Sequence, residues 1–129
     1  MQFKIFTRGI ILNNKKDSVL LIKKNERQKI APGKWLFPGG TLEFNEDIEF
    51  CLRREIKEET NLTVSELILF TTKKIIIGDD HWLGIYYKVT VRNEDELNNN
   101  EPEKHNALQF FTFDQIPEFG DLDILENIL

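Results

Sequence analysis

GTLEFNEDIEFCLRREIKEETNL, residues 40 to 62, decides how this chain is read. At 100° per residue, Ile48, Cys51, Leu52 and Ile56 fall within about 140° of arc, an ordinary core-facing helical stripe. Glu55 and Glu59 point into the middle of that arc, and Glu58 lies at its edge. A carboxylate where the pattern asks for leucine is costly unless something compensates its charge. Two readings meet that requirement. Either the last turn overhangs the core and leaves the three acids solvated, or a divalent cation relieves their mutual repulsion. Ile56 continues the stripe after Glu55, so the helix is still on the core when the acids begin, which favours the cation. Oxygen ligands with an incomplete shell suit Mg²⁺ or Mn²⁺, which keep waters and share coordination with phosphates. The spacing therefore points to metal-assisted phosphoryl or pyrophosphate chemistry.

Around these acids the chain resembles the Nudix hydrolase family. That signature runs Gly, five residues, Glu, seven residues, Arg-Glu, an aliphatic residue, any residue, Glu-Glu, any residue, Gly, aliphatic. Here it reads Gly40, Glu46, Arg54-Glu55, Ile56, Glu58-Glu59, Asn61 and Leu62. The preceding Trp35-Leu36-Phe37-Pro38-Gly39-Gly40 is similar to the family's lead-in. The single departure is Asn61 where the signature has Gly. A residue closing a helix often takes a left-handed conformation, which Gly tolerates best and Asn next. Asn45 can do the same in the loop before the helix, or act as its N-cap.

The rest of the composition bounds the reading. A chain of 129 residues suits one domain, residues 1–129, with 40% hydrophobic and 11% aromatic residues. No apolar run is long enough for a membrane span and no signal peptide opens the chain, so a cytoplasmic address is expected. The lone cysteine, Cys51, sits on the helix stripe and reads as a core residue. Residues 1–34 carry nine Lys/Arg against two Asp/Glu, whereas residues 35–129 carry eight against twenty. The overall net charge of −5 argues against a nucleic-acid polymer as partner. The basic N-terminal part either lies beside the acidic site to receive phosphates or is ordinary surface.

Residues 3–12 and 19–23 read as strands forming a hairpin, and residues 25–34 as a polar loop. Residues 38–40 read as a turn or bulge where backbone comes close to whatever binds. The helix is expected over residues 46–60, followed by strands at 64–70, 73–77 and 82–91. Residues 93–106 read as an acidic surface loop, residues 108–113 as the final strand, 114–117 as a turn, and 122–129 as a short helix. Strands around one long helix, with a second helix at the end, indicate an α/β fold with a mixed β-sheet flanked by helices. The resemblance implies the same thing, a Nudix-type α/β/α sandwich.

The resemblance also implies roles. Glu55 and Glu59 become metal ligands, with Glu58 as third ligand or as the base acting on water. Arg54 orients acids, Glu46 among them; reaching Glu46, eight residues back, requires that residue to sit in the loop or first turn. Glu101 or Glu103, before the last strand, can supply a further acid. Gly39, Gly40, Lys23 and Lys24 are candidate phosphate contacts. Trp35, Phe37, His81 and Phe110, with Trp82 and Leu108, are candidate walls for a base. The implied activity is Mg²⁺- or Mn²⁺-dependent hydrolysis of a nucleoside triphosphate, oxidised or non-standard ones included, to monophosphate and pyrophosphate, as in small mutator-type pyrophosphatases. The alternatives are a nucleoside diphosphate linked to a sugar or alcohol, and a non-catalytic nucleotide-sensing domain. The proline that marks many ADP-ribose hydrolases is missing near Ile77-Gly78-Asp79, and the signature acids that sensing domains lose are all present. A small-molecule nucleotide is the expected partner, bound by a monomer or homodimer without a membrane.

Overall fold

Strand β1 (Phe3–Ile11) has apolar residues on both faces, and both of its edges are used. β6 (Asp80–Val91) runs parallel to it from Phe3↔His81 to Ile11↔Val89, and the short β4 (Gly39–Thr41) runs antiparallel on its other side. With β5 (Val64–Ile77) outside β6, these make a mixed four-stranded sheet in the order β4-β1-β6-β5. β2 (Ser18–Lys24), β3 (Trp35–Leu36) and β7 (His105–Thr112) form a second, antiparallel sheet in the order β3-β2-β7. The computed structural model describes residues 1–29 and 31–128. Ile30, within the expected polar loop, and Leu129, at the end of the expected last helix, lie outside the described residues.

Helix α1 (Ile48–Thr60) buries Cys51, Leu52 and Ile56 against one face of the four-stranded sheet, with Ile11, Val64, Ile85 and Val89. The opposite face packs Phe6, Ile10, Trp82 and Tyr86 against Phe37 and, from α2 (Leu122–Glu126), Ile124 and Leu125. Helices on both faces of a mixed sheet give the expected α/β/α arrangement. Asn61 closes α1 at φ 68°, its N–H donating to the Lys57 carbonyl, which is the left-handed cap read from the sequence. Asn45 is also left-handed, φ 63°, so it turns the loop, while Asp47 is the N-cap.

Several local expectations are corrected. The first two strands are not a hairpin: Leu12 bridges Val19, and the chains then part into different sheets because each strand already has two other neighbours. Residues 38–40 are not a free turn, since Gly39 to Thr41 form strand β4. The helix starts at Ile48 rather than residue 46. The runs at 64–70 and 73–77 are one strand, bulged between Leu69 and Thr71 to stay in register with β6. The acidic loop carries a short 3₁₀ turn, Glu94–Glu96. No helix among the described residues is long and apolar enough to cross a membrane.

Candidate active site

Arg54 stands at the hub of the helix-borne acids. Its Nη2 lies 2.7 Å from Glu46 Oε2, while Nη1 reaches Glu55 Oε1 at 3.0 Å and Glu58 Oε2 at 3.2 Å. Because α1 begins two residues after Glu46, that carboxylate is free to fold back on the guanidinium. It also accepts the Glu43 backbone N–H, and this bond, then Arg54, holds Glu46 below the usual carboxylate range. The same Glu46 bond keeps Arg54 firmly protonated.

Glu59 is buried in the fold and Glu55 half-buried beside it. Glu59 is 8% exposed and accepts the Gly39 N–H at 2.9 Å. Burial pushes its carboxyl up to about 8, with Glu55 and Glu101 adding to the rise and Arg8 opposing it. Burial also raises Glu55, against the pull of Arg54. Gly40 is the floor under Glu55, for a Cβ there would lie 2.5 Å from the Glu55 carboxyl carbon. His105 is buried, with Nε2 3.8 Å from Glu59 Oε2 and Nδ1 unpartnered among the described residues. Burial lowers its basicity, so it faces Glu59 as a neutral imidazole, not as an ion-pair partner. One ligand atom each from Glu59, Glu101 and His105 lie within 4.8 Å of one another.

This donor set fits a divalent cation. A buried Glu59 and a half-buried Glu55, both raised by burial and by neighbouring carboxylates, stand beside an orphaned imidazole, and a positive charge there would stabilise all three. Glu59 and Glu101 would offer it oxygens and His105 a nitrogen, with Glu55 lining the same cleft.

The acids face a cleft of about 340 Å³, whose lining includes Arg8, Lys24, Glu55, Glu59, Glu101 and His105. Beside it lies a larger hollow of about 1020 Å³, walled by Phe6, Trp35, Trp82 and Phe119, with Lys73 and Asp121 as a polar pair 3.1 Å apart. Arg8, Leu36 and Thr41 line both. Gly39, Gly40, Lys24 and Glu101 thus join the acid cleft, and Trp35 and Trp82 the hollow. Phe37 is core, 1% exposed, though its edge touches the cleft. The other expected contacts do not converge on either cavity. His81 packs on Phe3 at the sheet end, and Leu108 and Phe110 pack on the core. Lys23 lies over the Trp35 ring at 6.0 Å, and Glu103 uses its carbonyl to accept from Asn25. Glu58 is half exposed and turned to Arg54, outside the cleft lining.

Two residues escaped the sequence reading. His105 carries no local signal, because its neighbours come from remote segments. Arg8 had one: strand alternation puts it on the same face as Phe6 and Ile10, where an apolar side chain is expected.

A family model described as NUDIX domain matches residues 4–127. A putative nudix hydrolase 1 of Caenorhabditis elegans is 43% identical over 52 residues, 40% of this chain and only 14% of that protein's length. An 8-oxo-dGTP diphosphatase of Proteus vulgaris is 31% identical over 87 residues, 67% of this chain and 77% of that protein. Among solved structures, the MutT NUDIX hydrolase from Burkholderia pseudomallei superposes with a TM-score of 0.83 at 25% identity, covering 97% of this chain and 95% of its own.

Proposed function

This chain belongs to the Nudix family and is a Nudix hydrolase, and from that premise we propose that its 129 residues act as one domain hydrolysing a nucleoside triphosphate to monophosphate and pyrophosphate. The observation that carries this reading is the pair of adjoining cavities. An acid cleft able to hold cation and phosphates adjoins, at Arg8, Leu36 and Thr41, an aromatic-walled hollow with ample room for a nucleoside. The similarity to an 8-oxo-dGTP diphosphatase supports including oxidised purine nucleotides among the substrates.

Glu55, Glu59 and Glu101, with His105 beside them, would hold Mg²⁺ or Mn²⁺. Such an ion, when bound, neutralises phosphate charge and makes water a better nucleophile. The chain's own residues do the rest. Arg54 fixes Glu55 and Glu58 in place, itself anchored by Glu46. Gly39 aims Glu59 through its N–H. Glu58, on the solvent side of the same turn with only Oε2 committed to Arg54, is the group assigned to take the proton of the attacking water. Lys24 faces the acids without an ion-pair partner among the described residues and receives phosphate oxygens. Trp35 and Trp82 wall the base, and the Lys73–Asp121 pair offers it a donor and an acceptor.

The test is hydrolysis of canonical and oxidised nucleoside triphosphates in ¹⁸O-labelled water with Mg²⁺, products resolved by mass spectrometry. Monophosphate and pyrophosphate are expected. Diphosphate with orthophosphate as primary products would overturn the reading, and activity confined to sugar-linked diphosphates would replace it with the alternative hydrolase.

A further inference from the structure

An arginine in the interior of a strand, between Phe6 and Ile10 on one face, needs a reason. Arg8 pairs across to Gly39 on β4 and to Tyr86 on β6, so its backbone is fixed on both sides. Its guanidinium lies 4.9 Å from the centre of the Phe6 ring, which holds the plane but satisfies none of its N–H donors. No side-chain hydrogen bond or ion pair engages Arg8 among the described residues. It shares the acid cleft with Glu59 and Lys24, yet is bonded to neither among the described residues. The guanidinium is half-buried and opens onto both cavities, so its N–H fork is free to take an anion that the chain itself does not provide.

The location says which anion. Three residues line both the acid cleft and the aromatic hollow, and Arg8 is the charged one. A nucleotide with phosphates over the acids and base between the tryptophans must cross this seam with the phosphoryl group that bears the sugar. We propose that Arg8 grips that innermost phosphoryl group, fixing which phosphorus lies over the acids. This rests on the triphosphate reading above. The planar fork of arginine suits two phosphate oxygens at once, which a lysine at the same place cannot match. The competing role is purely electrostatic, with Arg8 compensating Glu59 from a distance and never meeting substrate.

The experiment uses the metal-free full chain and calorimetric titration with the common nucleoside monophosphates and 8-oxo-dGMP, each against its parent nucleoside. Wild type should prefer the monophosphate in at least one pair. Arg8→Gln should erase that preference by about tenfold to hundredfold while leaving nucleoside affinity unchanged. Arg8→Lys should fall between, and thermal melting checks that both variants fold. Mn²⁺ affinity without nucleotide should hold or rise in Arg8→Gln, because a like charge has left the neighbourhood of the site. An undiminished monophosphate preference in Arg8→Gln would overturn the assignment and leave the triphosphate reading standing. So would a fall in Mn²⁺ affinity that matches the loss of preference, since that is the signature of the electrostatic role. A wild type that neither prefers any monophosphate nor hydrolyses any triphosphate would overturn both.

Discussion

Adjacent glycines in the lead-in to the helix do different jobs, and alanine at each should separate fold from chemistry. A Cβ on Gly40 would stand 2.5 Å from the Glu55 carboxyl carbon and 2.8 Å from each of its oxygens. Ordinary carbon contacts lie near 3.5–4.0 Å, so the carboxylate must retreat by about 1 Å or more. It is the far end of a flexible side chain, and Gly40 has no left-handed φ, so the backbone has nothing to resist. The displacement falls on the group assigned to the cation. A misplacement of about 1 Å in a reacting constellation costs on the order of a hundredfold in rate.

At Gly39 the geometry is opposite. Its φ is +152°, and a Cβ would lie 2.0 Å from the Thr7 carbonyl oxygen and 2.9 Å from the Arg8 Cα, both backbone. Strain and overpacking together should destabilise Gly39→Ala by about 3 kcal/mol or more, roughly a 10 °C fall in melting temperature. The assays are melting by circular dichroism, Mn²⁺ binding by electron paramagnetic resonance, and turnover on the triphosphate panel. Gly40→Ala should melt within about 2 °C of wild type while binding Mn²⁺ more weakly and turning over about a hundredfold more slowly. Full turnover in Gly40→Ala, or a stability loss equal to that of Gly39→Ala, would refute the assignment of Gly40 as the floor of Glu55.

Three further outcomes are expected. Glu55→Gln and Glu59→Gln should each cut turnover by about a hundredfold or more, with metal-free melting temperatures level or higher, because burial disfavours the carboxylate that Gln replaces; near-normal turnover in either would sink the ligand assignment. Asn61→Gly should melt close to wild type, losing only the side-chain bond to the Glu96 carbonyl, whereas Asn61→Val should be clearly less stable at φ 68°, and equal melting points for Val and wild type would contradict the cap. Cys51 is fully buried, with its thiol pushed up to about 11 by burial and by Glu46, so mass spectrometry should find it unalkylated by iodoacetamide at neutral pH in the native chain; rapid native labelling would place it in a different environment.

The helix was legible because its signal is local. Ile48, Cys51, Leu52 and Ile56 set the buried face by spacing alone, and the acids on that face announced their own anomaly. Asn61 could be read as a cap because few residues accept a left-handed backbone. The strands were legible as strands but not as partners. Nothing in residues 3–24 says that β1 will choose β6, 78 residues later, over its sequence neighbour β2. That choice depends on burying both faces of β1, which only the assembled sheet can do. The merging of residues 64–77 into one strand was hidden for a related reason, since a bulge leaves no fixed residue signature.

The segment read as a solvated loop shows where sequence polarity misleads. Asn98, Asn99 and Asn100 look like surface, yet they tie down the end of α1 and the remote half of the acid cleft. The Asn98 N–H donates to the Thr60 carbonyl, and Asn100 reaches the Glu59 carbonyl with its N–H and the Lys57 carbonyl with its side chain. The Glu59 and Thr60 carbonyls are among those a helix C-terminus leaves without internal partners, and the Lys57 carbonyl is shared with the Asn61 cap N–H. Asn99 accepts the Glu101 N–H and donates to the His105 carbonyl, so one side chain holds both ends of the turn that carries the further acid and the imidazole. β7 then enters beside β2 with Lys24 opposite His105 and Lys23 opposite Ala107, Asn106 being bulged out. Through that irregularity Lys24 and His105 meet at the same cleft. Amide side chains suit this work because each offers both a donor and an acceptor without adding charge to a site already crowded with carboxylates. A composition rich in Asn is the same whether the loop is solvated or spent on capping, and only the carbonyls it meets distinguish the two.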